Sequence, residues 1–553
     1  MYIKVSGGLT QPFITSTGVK QGCVLSPIIF NLFIMGLPQA VKGGNVSERA
    51  DNGIETDVDP VMLNDEHLSV LMWADDVLLV SLSPLGLQNA ITRTYNYFNS
   101  LDLSINPKKT KVMIFNQRGL CLDSVPGHQF WCGSNALEVA KEYTYLGLVL
   151  KPSGTFTQAV EELHSKASRA WFSISNTIFQ NKKLSVTRAL RIFDSLVTPV
   201  SLYCAELWTP YILSAMSLSN SQTLLNNFGE FQPERLNQRI SRMLLSVHKK
   251  TSRMACLGEL GRYPLIINSL VHSIKYEWHL RQNCGNASLI GMAYNEMTSF
   301  SASGGDCWLS KINKIKCSLG VNTDNVRKPV SLSKIVNKAV KGKFDVFWLE
   351  SISQFTPNQE GRDTNKLRFY KSFKGSFTEE PYLSSVLNRN QRSSLTRLRV
   401  SAHHLQIERG RWTNTPLENR LCRYCDQDCV DTEHHFLLQC QSFTLKRHCF
   451  LGKMASLGIN LDPNWSDNVK MAKLLCPTTA KAAKTVNKFI FILEKSRKLL
   501  DEGTPIDQLG HRNPPVHLDQ ESNVYDSDSD RSLLLESVDS EFFESSGDEQ
   551  DIS

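Results

Sequence analysis

Two adjacent aspartates, Asp75 and Asp76, stand between two apolar runs in the segment LSVLMWADDVLLVS. Two strand-forming runs that are joined by only a few residues predict a β-hairpin whose turn carries both carboxylates. Carboxylates that converge on one turn could help to hold two divalent cations about 3.5–4 Å apart, as two-metal catalysis requires. The dipeptide alone favours a plain hairpin with an Asp-rich turn, so the surrounding sequence has to decide between the two interpretations.

The segments on either side of the hairpin predict further helices and strands. Upstream, GVKQGCVLSPIIFNLFIMGL is typical of a loop that enters a helix, since Ser26 suits the N-cap and Pro27 suits the first helical position. We expect this apolar helix to be buried and residues 42–66 to form a long polar loop. Downstream, the pattern predicts a helix over residues 85–99, a pair of strands around INPKKTK and a strand at YTYLGLVL.

Beyond residue 150 the pattern is chiefly helical. Apolar residues recur every 3.6 positions over residues 160–178 and again over residues 236–247. In the second segment Arg235, Arg239 and Arg242 form a basic ridge beside the apolar one. A further helix is predicted at about residues 480–500.

The order of the amino-terminal blocks resembles that of the reverse transcriptases of non-LTR (LINE-type) retrotransposons. GVKQGCVLSPIIFNLFI, then MWADDVLLV, then a helix, then LSINPKKTKVMIF, then YTYLGLVL follow one another as in that family. Trp73 stands where Tyr or Phe is commoner, and it keeps an aromatic side chain there. Further along, KASRAWFSI, LRIFDSLVTPVSLYCAELW and MACLGELGRYPL are similar to the thumb and the following helical region of the same elements.

The resemblance implies a role for each matched residue. It makes Asp75 a ligand of the catalytic Mg²⁺, with Asp76 in support. It implies these substrate-binding residues: Gln21 and Gly22 beside the incoming nucleotide or the template base, Lys109 near the triphosphate, and Tyr145 and Gly147 at the primer end. The implied substrates are deoxynucleoside triphosphates, with RNA and DNA as partners.

Basic residues in the helical part would contact phosphates if they line a groove. The candidates are Lys166, Arg169, Lys182, Lys183, Arg235, Arg239, Arg242, Lys249, Lys250 and Arg253. Each of them taken singly is more often an ordinary solvated charge.

The family carries another catalytic aspartate, on a strand some tens of residues before the Gln-Gly loop. Because Met1 stands only 17 residues before Gly18, we expect that block to be missing, together with the template-binding fingers and the endonuclease. Without the ligand that bridges both ions, Mg²⁺ should bind weakly, and a misplacement of about 1 Å can cost about a hundredfold in rate. The expectation is therefore a reverse transcriptase with little or no activity.

The segment LCRYCDQDCVDTEHHFLLQC holds four cysteines and two histidines within 20 residues. A Cys₃His set suits tetrahedral Zn²⁺, and closing such a loop contributes folding free energy. By their spacing, either His434 or Cys429 could replace a member of the set, and unconnected core cysteines are the plainer alternative. The segment resembles the zinc-binding segment of LINE-type polyproteins, which implies these ligands: Cys422, Cys425, His435 and Cys440.

The charges are distributed unevenly along the chain. Residues 501–553 hold 15 Asp/Glu against Arg512 and Arg531, whereas residues 1–500 hold 59 basic and 39 acidic residues. The acidic end is predicted to be a disordered tail that could bind a protein partner, and the basic remainder suits a polyanionic partner. Neither a secretory signal nor an apolar run of about 20 residues is found, so we expect an intracellular protein without a membrane partner, in the nucleus or the cytoplasm.

The predicted fold class is α+β: a partial palm, an α-helical thumb and connector, a small zinc-binding module and a disordered acidic tail. The predicted domains are the partial palm (1–150), the thumb (151–290), the connector (291–400), the zinc module (401–455), a terminal helical segment (456–500) and the tail (501–553). Two alternatives to the polymerase remain: a non-catalytic nucleic-acid-binding protein, in which the tail recruits a partner or masks the basic groove, and a pseudogene product.

Overall fold

The named strands all lie within residues 4–150 together with three helices, and the described chain beyond them is chiefly helical, in agreement with the α+β prediction. The computed structural model describes residues 4–5, 8–9, 11, 18, 23–42, 58–64, 66–115, 129–181, 183–215, 221–283, 285, 288–324, 326–356, 365–386 and 388–503. The predicted acidic tail from residue 504 onward lies outside these ranges. None of the helices in the described ranges offers a stretch long and apolar enough to cross a bilayer.

The strands form small sheets that are mostly antiparallel hairpins. Their bounds are β1 (Lys4–Val5), β2 (Gly8–Leu9), β3 (Val61–Leu63), β4 (Glu66–Leu68), β5 (Val70–Trp73), β6 (Asp76–Leu79), β7 (Lys111–Val112), β8 (Phe130–Cys132), β9 (Asn135–Val139), β10 (Tyr143–Tyr145) and β11 (Leu148–Leu150). The pairs β1–β2, β3–β4, β5–β6 and β10–β11 are hairpins, and β9 lies between β8 and β7 in a three-stranded sheet.

The helices α1 to α10 are Ser26–Phe33, Leu37–Lys42, Pro84–Ser100, Thr157–Gln180, Val186–Leu196, Thr198–Ser201, Ala205–Ala215, Ser221–Asn227, Gln232–Leu245 and Arg253–Leu260. The helices α11 to α20 are Leu265–Asn283, Leu289–Ala302, Trp308–Leu319, Pro329–Ser353, Tyr382–Ser385, Arg389–Arg399, Gln406–Trp412, Thr444–Ser456, Asp467–Leu475 and Ala480–Asp501. The predicted helices at 85–99, 160–178, 236–247 and 480–500 are confirmed as α3, α4, α9 and α20.

Four local predictions were wrong. The segment YTYLGLVL forms the hairpin of β10 and β11 and not one strand. The side chains of α1 are largely exposed within the described structure, with Ile28 at 56% and Leu32 at 61%, so this apolar helix is not buried. Residues 42–66 contain β3, which pairs with β4, because Val61 and Leu63 alternate in the manner of a strand. The segment around INPKKTK yields the single strand β7, which pairs in parallel with the distant β9 rather than forming a hairpin.

Two large apolar cores lie in the helical part, and α4 contributes to both. Val160 and Leu163 belong to a core shared with α7, α11 and α14. Ala167 and Trp171, one to two turns later, belong to a core shared with α5, α16, α20 and the cysteine-rich segment. The apolar stripe predicted from the 3.6-residue period therefore connects the two cores.

A buried arginine links helices that are far apart in the sequence. The Arg399 side chain, at the end of α16, is 0% exposed and donates two hydrogen bonds of 2.9 Å to the Glu259 carboxylate of α10. It also lies 2.9 Å from the Glu380 carboxylate and donates to the carbonyl of Leu475 at the end of α19. Tyr382 of α15 donates a further bond of 2.7 Å to Glu259. The guanidinium thus has three acceptors on three segments.

Replacing Arg399 with methionine should lower the free energy of unfolding by about 3–5 kcal/mol, because Glu259 and Glu380 would be left buried without their cation. Urea denaturation of the full chain, followed by far-ultraviolet circular dichroism, measures the change. The matched control is Arg188→Met on the exposed face of α5, which should stay within about 0.5 kcal/mol of the parent chain. Equal losses in the two variants would contradict a specific role for the buried cation.

Candidate functional site

The Asp75–Asp76 pair lies at the exposed tip of the hairpin formed by β5 and β6. Trp73 and Asp76 are cross-strand partners, and the two-residue turn between them has Ala74 in the left-handed region at φ +53°. Both aspartates are exposed. The predicted hairpin with a carboxylate-bearing turn is confirmed.

The hairpin is supported from below by apolar contacts. Val70, Met72, Val77 and Leu79 pack against a small core that includes residues of α2 and α3. Because successive side chains on a strand point to opposite faces, this packing leaves Trp73 and Asp76 on the open face. Trp73 is 67% exposed, so its aromatic side chain is not part of the hydrophobic core.

The hairpin formed by β10 and β11 lies near the aspartates. Burial, and then the Asp76 carboxylate, raise the pKa of the Tyr145 hydroxyl, which shows that the two side chains are within electrostatic reach. The turn residues Leu146 and Gly147 both have positive φ, at +47° and +83°, as a tight type I′ hairpin turn requires. Tyr203, between α6 and α7, donates a 2.8 Å hydrogen bond to the Leu146 carbonyl and ties the turn to the helical part.

Lys109 lines a cavity beside this second hairpin. The Tyr143 hydroxyl donates a 3.3 Å hydrogen bond to the Lys109 carbonyl. The cavity measures about 360 Å³, and it is lined by Lys109, Lys111, Glu142, Tyr143, Thr144 and Val149. The Lys111 ammonium lies 2.5 Å from the Glu138 carboxylate, so Lys109 is the lining lysine that suits an anionic group such as a phosphate.

Two carboxylates alone do not complete a two-metal site in the described part of the chain. The only group of three or more Cys, His, Asp or Glu side chains there with converging ligand atoms is the cysteine-rich cluster. No third carboxylate therefore joins Asp75 and Asp76 among the described residues. Gln21 and Gly22, which were predicted to lie beside the nucleotide, fall outside the described residues.

The predicted phosphate-binding residues have different surroundings. Arg235 and Arg239 of α9 both lie near His164 of α4, and together with burial they lower its pKa. The Arg239 guanidinium lies over the Phe172 ring at 4.8 Å. Arg242 and Arg253 have internal contacts: the first donates to the Thr251 carbonyl and the second lies over the Phe228 ring at 4.2 Å. Lys166, Arg169, Lys183, Lys249 and Lys250 are at least partly exposed, and Lys182 lies outside the described residues.

The four predicted zinc ligands come together after α17. The donor atoms of Cys422, Cys425, His435 and Cys440 all lie within 4.8 Å of one another. The sulfurs of Cys422 and Cys440 are 4.0 Å apart, close to the roughly 3.8 Å between sulfurs bound tetrahedrally to one zinc ion. The donor set and its spacing therefore fit Zn²⁺.

A turn of π-helix places the last two ligands of this cluster. Residues His435–Gln439 form the turn, and the Cys440 amide donates a 2.8 Å hydrogen bond to the His435 carbonyl, five residues earlier. An α-helical turn would place the two side chains at a different angle, so the wider π turn brings the Cys440 thiol back beside the imidazole.

The two alternative ligands, Cys429 and His434, have different surroundings. Nε2 of His435 lies 3.4 Å from the sulfur of Cys425, and the sulfur of Cys429 lies 3.1 Å from Nδ1 and 3.8 Å from Nε2 of the same ring. Cys429 is thus beside the cluster and closest to Nδ1, a position from which a neighbour can orient a metal-bound imidazole. His434 points elsewhere, with Nε2 2.8 Å from the side-chain oxygen of Asn468.

Sequence reasoning missed the residues that support the cluster. Arg497 of α20 is bound by both carboxylate oxygens of Asp431, at 2.7 and 3.0 Å, and its guanidinium lies 3.9 Å from the sulfur of Cys422. It also lies over the rings of Tyr424 and Phe436, at 4.7 and 4.5 Å. A lone arginine in an amphipathic helix carries no local signal of such a role.

The amino-terminal part of the chain matches known proteins. A family described as reverse transcriptase (RNA-dependent DNA polymerase) matches residues 1–150. The Pol polyproteins of the retrotransposable elements R2DM of Drosophila melanogaster and R2 of Popillia japonica are 26% and 29% identical over 152 and 107 residues. The resemblance to non-LTR reverse transcriptases is confirmed.

The matches cover limited parts of both partners. The two polyproteins are matched over 27% and 19% of this chain, and over 13% and 16% of their own lengths. A transposon-derived protein of Caenorhabditis elegans is 27% identical over 153 residues, which cover 27% of this chain and 51% of that protein. The reverse transcriptase match thus includes the hairpin with Asp75 and Asp76, and it ends before α4.

Replacing Cys440 with serine should abolish zinc binding, because it removes a buried ligand that the π turn positions. The purified full chain should carry about one zinc per molecule, and the Cys440→Ser chain close to none. Inductively coupled plasma mass spectrometry measures the zinc content. Cys449→Ser, at an exposed thiol of α18, is the matched control and should keep its zinc. Cys429→Ser should also keep zinc, and a complete loss there would place Cys429 among the ligands.

Proposed function

We propose that this chain derives from an RNA-directed DNA polymerase and retains its nucleic-acid-binding surfaces, with a catalytic metal site that is incomplete in the described residues. The observation that supports this most directly is the exposed Asp75–Asp76 turn within electrostatic reach of Tyr145. Around it we propose residues 1–150 as a partial palm and the helices from α4 onward as thumb and connector. Residues 401–455 would form a zinc module, followed by a terminal helical segment.

In the proposed site each side chain has a defined task. Asp75 would bind Mg²⁺ and Asp76 would support it, while Tyr145 and Gly147 would hold the primer end and Lys109 would meet the triphosphate. Gln21 and Gly22 would lie beside the nucleotide or the template base. The bound ions would supply charge stabilisation at the transferred phosphate. Because no third carboxylate accompanies the pair in the described residues, we propose that the ions bind weakly and that the chain alone polymerises poorly.

Primer extension on an RNA template with Mg²⁺ and deoxynucleoside triphosphates tests this proposal. We expect extension by the parent chain to be no greater than extension by Asp75→Ala, because a misplaced metal pair already costs about a hundredfold or more. Glu66→Gln, at an exposed carboxylate of the neighbouring β4, is the matched control. Robust extension that is lost in Asp75→Ala and kept in Glu66→Gln would refute the incomplete site and establish an active polymerase.

A second candidate function is nucleic-acid binding without catalysis. The observation that favours it is the pair α4 and α9, which presents basic side chains on packed helices: Arg235 and Arg239 both lie near His164, and Arg169 is exposed on α4. Such a surface requires no metal at the hairpin tip. The acidic residues after position 503 would then recruit a partner or compete with nucleic acid for the basic surface.

A triple variant with glutamine in place of Lys166, Arg169 and Arg235 should bind single-stranded RNA more weakly. The dependence of this binding on salt concentration should also be lower. Each lost phosphate contact removes about 0.7 from the slope of log K against log salt, so three contacts remove about 2. Fluorescence anisotropy over a range of KCl concentrations measures the slope. Glutamine at Lys481, Lys484 and Lys488, all exposed on α20, gives a control of equal charge change. Equal slopes for the two triple variants would show that binding depends on net charge alone.

A further inference from the structure

An exposed tryptophan lies where two distant basic segments meet. Trp412, the last residue of α17, is 63% exposed. Its ring lies 6.2 Å from the ring of His248, centroid to centroid, at an angle of 43°. His248 belongs to the loop after α9, so the contact joins residues that are 164 positions apart in the sequence. The exposed indole therefore offers an aromatic face to the solvent, with a second exposed ring beside it.

Cations surround this pair of rings. Lys249 and Lys250 follow His248 directly, and both are exposed. Burial, and then Arg397, His403 and Arg409, lower the pKa of the nearby His404 imidazole. Burial, and then Lys250 and Lys249, lower the pKa of His248. Lys249, Lys250 and Arg409 are exposed cations beside the two rings.

The acidic group closest in sequence does not cancel these charges. Glu408, one turn before Trp412, is 2% exposed and forms ion pairs with Arg368 at 3.0 Å and with Arg411 at 3.3 Å. Its charge is therefore neutralised inside the protein. The loop after α9 is held in place by Arg397 and Arg389, which donate hydrogen bonds of 3.1 and 2.9 Å to the carbonyl and the hydroxyl of Ser246. The surface is thus built on a fixed framework.

We propose that Trp412, with His248 beside it, forms a stacking platform for an unpaired base of single-stranded nucleic acid, with Lys249, Lys250 and Arg409 beside the phosphates. An aromatic face within a basic surface is the combination that binds single strands without regard to sequence, since every base has a face to stack. A base inside a duplex is already stacked on both faces and cannot use the platform. The proposal specifies the binding partner for the nucleic-acid-binding function proposed above, and it is independent of Asp75.

Binding of fluorescein-labelled RNA, of DNA with the same sequence and of the DNA duplex to the full chain tests the platform. Trp412→Ala should weaken binding of the single strands by about 5- to 150-fold, the loss expected for one stacked base, and leave duplex binding within about twofold. Trp412→Phe should restore most of the affinity, because a ring remains. Trp131→Ala, which removes another exposed indole (47% exposed) on β8, should leave all three affinities unchanged. The RNA and DNA arms show which single strand is preferred.

Unchanged single-strand binding by Trp412→Ala, or an equal loss for the duplex, would overturn the platform. A competition experiment gives a second such outcome. If a peptide of residues 519–553 displaces the labelled RNA at a lower concentration than unlabelled RNA does, the acidic segment and not nucleic acid occupies the platform. If the parent chain binds none of the three probes, the nucleic-acid-binding function itself fails. Thermal unfolding of each variant should be unchanged, since the substituted side chains are exposed.

Discussion

The helical part of the molecule depends on one buried cation. The guanidinium of Arg399 has no access to solvent, and the carboxylates of Glu259 and Glu380 compensate its charge at 2.9 Å. Each partner comes from a different segment, and the Leu475 carbonyl at the end of α19 is the third acceptor. A buried charge is tolerated only when every donor is satisfied, so these segments have to meet in one arrangement. The core that contains the zinc cluster is built on helices fixed in this way.

The polymerase-like hairpin depends on a different kind of support. Its strands are short, and only one face is covered by α2 and α3. The other face carries Trp73 and Asp76 and stays open, as the proposed metal site would require. The adjacent cavity with Lys109 and the turn with Gly147 belong to the same exposed region. The apolar cores described in residues 1–150 are small, whereas the two largest cores lie in the helical part.

The sequence predicted the features that are determined by neighbours along the chain. The Asp75–Asp76 hairpin, the helices α3, α4 and α20, and the close spacing of Cys422 and Cys425 all follow from local periodicity or from turn geometry. Contacts between distant segments left no such signal. The parallel pairing of β7 with β9, the pairing of Glu259 with Arg399 and the contact of His248 with Trp412 each join residues that only tertiary packing brings together. The open face of α1 was missed because apolar composition does not reveal whether a partner surface is present.

The hydrogen bond from Tyr203 to the Leu146 carbonyl links two distant parts of the chain. It connects the hairpin proposed to hold the primer end with the short segment between α6 and α7. A ring carbon of Tyr203 also lies 3.3 Å from where a side chain on Gly147 would begin, so glycine allows this close approach. The tight turn is therefore positioned by a contact from the helical region as well as by its own two strands.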